Sequence, residues 1–241
     1  MNLDFSVVLP ALPFLLRATL LTIVLALASQ FCGTVAGFVL ALARMSSIRP
    51  LRWLVWGYVW IFRGTPLLLH LFLIYYGGPL VGITLDAVPA AIIGMSIGSA
   101  AYNCEIIRAG LQSVGRGQIE AAQAVGMRWF PIIRHIVVPQ ALSVIIPPYM
   151  NNFISHTKNT SLASVVTVPE LMMTAENIYG RNYRTIEILT ATGAIYLALT
   201  SVLTLLQMLL ERLFDISRRR VGQIRQRRFS QYFAFAPGTR S

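Results

Sequence analysis

Charge is scarce in this chain: Asp, Glu, Lys and Arg make up 12% of its 241 residues, about half the share found in soluble domains. With 56% of the residues hydrophobic, an ordinary water-soluble globule is excluded and a membrane protein is implied. Lysine is scarcer still, since Lys158 is the only one among 20 basic residues and the others are arginine. No Gly-x(4)-Gly-Lys-[Ser/Thr] phosphate loop occurs, so any ATP chemistry must come from another subunit. Cys32 and Cys104 both lie in apolar runs and form neither a disulfide framework nor a CxxC pair. His70, His135 and His156 are scattered, with no HExxH and no paired carboxylates, so a polytopic membrane enzyme has no metal-binding or acid–base constellation to work with.

What is present is apolar sequence in long runs. Stretches able to cross a bilayer fall near 14–43, 53–76, 88–109, 140–166 and 187–213, which predicts an all-α integral membrane domain of five helices covering residues 1–241. Ala26-Leu27-Ala28 imitates a signal-peptidase site, but residues 1–13 hold Asp4 and no basic residue, and the apolar pattern continues to Ala43; cleavage is not expected. In the same span Gly33 and Gly37 form a GxxxG, which permits close helix contact and is read as packing.

The formal charge of +11 is distributed by side. Arg44, Arg49 and Arg52, then Arg108, Arg116, Arg128 and Arg134, then seven arginines from Arg212 to Arg228 fall on one side of the five spans. The other side carries Arg181 and Arg184 alone. The positive-inside rule therefore places the N-terminus outside and the basic tail, 214–241, in the cytoplasm. The tail reads as a topology anchor or an anionic-lipid contact; no basic face interleaved with aromatics suggests nucleic acid.

Three places interrupt the apolar pattern. Residues 110–140 form a cytoplasmic segment with a helix-forming run from Gln118 to Val125, then Gly126 suited to a helix C-terminus, then an amphipathic stretch from Trp129 to Val138 ended by Pro139. Pro131 is tolerable there only in the first turn of the second helix. Ala121, Ala122 and Ala124 offer a smooth surface that another protein could dock, with Glu120 available to an arginine or a backbone donor; composition alone equally permits a helix pair resting on lipid headgroups.

The fourth span starts at Pro139, contains Pro147-Pro148 and then carries Asn151, Asn152, Ser155, His156, Thr157, Lys158, Asn159, Thr160 and Ser161. One cation at mid-bilayer costs about 2.5–3.5 kcal/mol, so this polarity calls for a water-accessible interior. Lys158 lies about 26 Å along the helix from Ala141, past the midplane. Its ammonium, beside Asn151, Asn152, Asn159, Thr160 and Ser161, could hold the carboxylate of a small solute; alternatively it snorkels to outer headgroups while the amides join helices. The second span carries Arg63-Gly64-Thr65-Pro66, a hinge or broken helix in which Arg63 either pairs with Glu105 or exposed carbonyls, or anchors at the inner surface. Glu105 and Arg108, three apart, read as a local helix-surface pair.

The spacing Glu120-Ala121-Ala122, three residues, Gly126, nine residues, Ile136, two residues, Pro139 resembles the coupling signature, called the EAA loop, of binding-protein-dependent ABC transporter permeases. Arg63 to Leu68, Ala101-Tyr102 with Glu105-Ile106 and Arg108, Ser113 to Gln118, Pro139 to Leu142, and Thr160-Ser161-Leu162 leading to Glu170-Leu171 are similar to the subfamily for polar amino acids and opines. The resemblance covers roughly residues 14–213 and implies a type I importer permease in a bacterial plasma (inner) membrane. It further implies a cytoplasmic ATPase pair that binds ATP and Mg²⁺ and is coupled through Glu120, Ala121, Ala122, Gly126, Ile136 and Pro139. A second permease, identical or paralogous, and an extracytoplasmic substrate-binding protein complete the implied assembly. Pro131, Ile133 and Asn159 depart from the family pattern, Asn159 standing where aspartate usually follows the lysine. A secondary transporter or channel is the rival reading, since broken helices and midplane polar residues suit it too; the coupling spacing separates the two.

Overall fold

The computed structural model describes residues 3–214. A single turn at Phe5–Val7 leads into helix α1 (Val8–Met45), followed by α2 (Arg49–Gly64) and α3 (Leu67–Tyr75). Then come α4 (Ala87–Gln112), α5 (Arg116–Ala124), α6 (Trp129–Ile132), α7 (Val138–Asn159), α8 (Leu171–Asn182) and α9 (Thr185–Phe214). Among the described residues four stretches are long and apolar enough to cross a membrane, and the α2–α3 pair, bent by 103°, makes up to five. Beyond Phe214 the basic tail lies outside the described residues.

The α2–α3 break follows from Pro66. A residue before proline is pushed out of the α region, and Thr65 is extended, at φ −114 and ψ 147. Contacts on either side of the break show what the pair does: Val55 and Val59 pack with Ala41, Cys104 and Ile107 near the arginine-bearing end, whereas Tyr75 packs near Ala87 and Val88 at the opposite end. The broken pair thus runs the length of the bundle as one passage.

α1 and α4 run parallel and touch along a glycine seam. A Cβ on Gly33 would sit 2.6 Å from that of Ser99, and one on Gly37 would sit 2.8 Å from that of Asn103, so only glycine allows this approach. α7 returns antiparallel, with Ile145 against Gly110 and Asn152 bonded to Asn103. α9 runs alongside, from Ile188 beside Leu15 to Leu210 and Phe214 beside Leu142 and Ile146. At the end opposite the arginine-rich one, α8 is capped by Glu170, whose carboxylate accepts from the backbone N–H of Met173 at 3.0 Å.

The segment between α4 and α7 departs from expectation in one respect. α5 ends as Gly126 suggests: it is left-handed at φ 81, its N–H bonds to Gln123 and the N–H of Met127 bonds back to Ala122, a Schellman arrangement. Pro131 lies in the first turn of α6. Pro139, however, does not end the second helix. A wide π turn at Ile133–Val137 joins α6 to α7, so one continuous helical stretch runs from Trp129 to Asn159. The widened turn relieves the clash a proline ring makes with the carbonyl four residues back and leaves its missing donor harmless.

Candidate functional site

Where α2 breaks from α3, a cavity of about 380 Å³ opens against α4 and α7. Thr65, Pro66 and His70 form one wall, Gly98, Ser99 and Tyr102 a second, and Asn152, Ser155, His156 and Asn159 a third. The helix break supplies the room, and spacings of three, four and seven residues along α7 put the third wall on one face.

The side chains at this site are held from behind by a polar ladder through the bundle. Ser29 on α1 bonds His156 Nε2 at 2.7 Å, and Gln30 accepts from Ser99 at 2.8 Å. Asn103 donates to Ser99 at 3.2 Å and to Thr34 at 3.3 Å, and accepts from the amide of Asn152 at 3.1 Å. Thr34 also bonds the hydroxyl of Tyr149 at 2.8 Å. Such partners are what makes buried polar groups tolerable where no water competes. Three buried side-chain atoms lack a hydrogen-bond partner among the described residues: Gln30 Nε2, within the ladder, His70 Nδ1, on the cavity wall, and Arg44 Nε, at the arginine-bearing end.

The residues expected from the sequence divide into four groups. Thr65, Asn152 and Asn159 line the cavity. Asn151 and Lys158 are exposed on a side of α7 that none of the described residues covers, and Lys158 has no ion-pair partner among them. Thr160 is buried, with its hydroxyl on the carbonyl of Thr157, and Ser161 bonds the carbonyl of Lys158; both tie off the end of α7. Arg63 does not pair with Glu105. Its guanidinium stacks 5.3 Å over the ring of Tyr102, because Glu105 is taken by Arg108 on its own helix face and by Arg44 at 3.7 Å.

His70 and His156 were missed by sequence reasoning, which found them scattered. The available signal was their register: His156 stands four residues after Asn152 and three before Asn159, and His70 lies five residues beyond Thr65 across the break. Among the described residues no group of three His, Cys, Asp or Glu is placed to hold a metal ion.

At the arginine-bearing end, α5 and α6 enclose a small apolar core of Val114, Ala122, Ile132 and Val137. Ala122 therefore points inward and holds the knob together rather than offering a docking surface. Glu120, Ala121 and Ala124 face out, with Val125 at 77%, Trp129 at 61% and Phe130 at 70% exposure beside them. Gly126 is exposed at the hinge, Ile136 packs against the knob core from the π turn, and Pro139 is exposed at the start of α7.

Residues 33–222 match the family described as the binding-protein-dependent transport system inner membrane component. The chain belongs to this family. It is a multi-pass membrane protein and the permease subunit of an ABC importer, not an enzyme; ATP hydrolysis lies in a separate subunit, and a binding protein completes the system. Among its relatives, the arginine transport system permease protein ArtQ of Bacillus subtilis (strain 168) is 37% identical across 88% of this chain and 97% of its own length. The L-cystine transport system permease protein TcyB of the same organism is 43% identical, covering 84% and 87%. The nopaline transport system permease protein NocM of Agrobacterium fabrum (strain C58 / ATCC 33970) is 41% identical, covering 87% and 91%. A solved structure, described as an amino acid ABC transporter with histidines, superposes with a TM-score of 0.81 at 35% identity, covering 88% of this chain and 99% of that one. The MetNI methionine ABC transporter, inward facing, shares the fold at a TM-score of 0.70 and 22% identity.

Proposed function

We propose that this permease carries a polar amino acid or a close derivative through the cavity between α3, α4 and α7, and that it imports its cargo. The names of its relatives support the cargo class, since arginine, cystine and nopaline are all amino acids or derivatives of them. The observation that carries the reading is the polar face of α7. Asn151, Ser155, Lys158 and Asn159 are exposed along a membrane helix, with the cavity opening beside them. Amides and an ammonium facing lipid would cost several kcal/mol, so this face meets water and a second permease, either an identical copy or a paralogue. The two would enclose a shared path exposed first to one side and then to the other.

The arginine-bearing end is cytoplasmic on this reading, with the N-terminus outside. The α5–α6 knob seats on one member of an ATPase pair that holds ATP and Mg²⁺, and Glu120, Ala121 and the exposed Val125, Trp129 and Phe130 form its contact face. An extracytoplasmic binding protein delivers cargo near α8. Proteoliposomes carrying the whole transporter and supplied with binding protein test this. Uptake should require ATP inside and persist when ionophores collapse ion gradients. Uptake driven by a gradient without ATP would assign the chain's cavity to a secondary transporter instead.

A further inference from the structure

The cavity has a chemical preference that follows from which groups line it. None of its lining residues is charged. The nearest carboxylate in sequence to that wall, Glu105, is already shared between Arg108 and Arg44. Beside that neutralised carboxylate, which shares a neighbouring pocket with Arg63 and Tyr102, two cations adjoin the lining: Arg63 over Tyr102, and Lys158 next to Asn159, neither in an ion pair among the described residues. A guanidinium or ammonium side chain entering here would lose its water, meet like charge and find no counter-ion among the described residues.

His70 defines the preference more closely. It is 5% exposed. The hydroxyl of Thr65 gives its proton to the carbonyl of Ile61 at 2.8 Å, so the 2.7 Å contact between Thr65 and His70 Nε2 has the ring as donor. Nδ1 is then left as an acceptor, buried and unpartnered, over Gly98, where a Cβ would lie only 3.4 Å from it. Asn152 spends an amide hydrogen on Asn103 and keeps its carbonyl oxygen free of any partner among the described residues. The wall thus holds unclaimed acceptors without negative charge, and the amide of Asn159 adds a donor beside them.

We infer that this wall selects an amino acid whose side chain is uncharged and donates a hydrogen bond, an amide above all, and turns away side chains bearing a positive charge. A carboxylate side chain, which has only acceptors to offer, is the weaker fit for His70 Nδ1. This selectivity rests on the amino-acid reading given above.

The test is direct binding to the complete transporter in lipid nanodiscs, without binding protein, using radiolabelled L-glutamine, L-glutamate, L-arginine and L-lysine. Glutamine should bind at least about tenfold more tightly than arginine or lysine, with glutamate weaker than glutamine. Asn159→Asp, a change on an exposed position of α7, should raise arginine affinity by about tenfold or more, and His70→Leu should weaken glutamine selectively. Arginine or lysine matching glutamine in the unaltered protein, or no binding by any of the four, would overturn the inference. ATP-driven uptake of arginine would leave the importer reading standing and end this one, whereas failure of ATP-driven uptake for every amino acid would end that reading.

Discussion

Glu170 is wholly buried yet makes no ion pair among the described residues. Its carboxylate accepts from the backbone of Met173, from Tyr196 on α9 at 2.9 Å and from Thr22 on α1 at 3.4 Å. Thr22 in turn accepts from the N–H of Leu171 at 3.1 Å. One side chain thereby joins three helices, and Glu170→Ala would strand several buried donors at once. The expected loss is about 2 kcal/mol, read as a lower unfolding midpoint in detergent, with Glu170→Gln recovering part of it. Lys158 is the opposite case, exposed and without an ion-pair partner among the described residues. Lys158→Ala should abolish ATP-driven uptake while the complex still co-purifies; uptake at the normal rate would remove Lys158 from the pathway. The sequence made Lys158 conspicuous because it is the single lysine, and made Asn152, Asn159 and Thr65 candidates through their place in apolar runs. It hid His70, because proximity across a helix break depends on the 103° bend, an angle no local pattern records.

Among the helices, the closest joint is the seam between α1 and α4. Gly37→Ala would put a Cβ 2.8 Å from that of Asn103 and 3.0 Å from the carbonyl of Ala100, so the helices must part, at a cost of about 1–3 kcal/mol. Gly57→Ala meets nothing within 4 Å and serves as the control in the same melting experiment. The GxxxG pattern suggested close contact but could not name α4 as the partner, since that depends on tertiary register. At Gly126 the left-handed backbone makes Gly126→Val cost about 1–2 kcal/mol. Because the strain falls on the hinge of the knob and not on the bundle, stimulated ATP hydrolysis should fall while the bundle's melting midpoint holds. The hinge was legible because a glycine after a helix-forming run has few other uses. The continuity of α6 and α7 was not, since Pro139 reads as a stop unless the preceding turn widens, and that depends on Ile132 and Val137 being pinned in the knob core.

At the level of the molecule, the arginine distribution anticipated a bundle with two chemically distinct ends, and the helix directions agree with it. Single cysteines placed at Gln123 and at Asn182, in a background lacking Cys32 and Cys104, should label with a membrane-impermeant maleimide from opposite sides, Gln123→Cys from the cytoplasm. Labelling of Gln123→Cys from outside and of Asn182→Cys from the cytoplasm would invert the proposed orientation, and labelling of both from one side would end the opposite-ends topology. The unbroken run from Trp129 to Asn159 gives this arrangement its mechanical character. Over about 45 Å a single rod reaches from the surface where a motor would sit to the polar wall of the cavity, with no loop between to absorb the movement. A displacement applied at Trp129 is therefore delivered at Asn159 much as a crankshaft delivers it, and the π turn sets the angle of the throw.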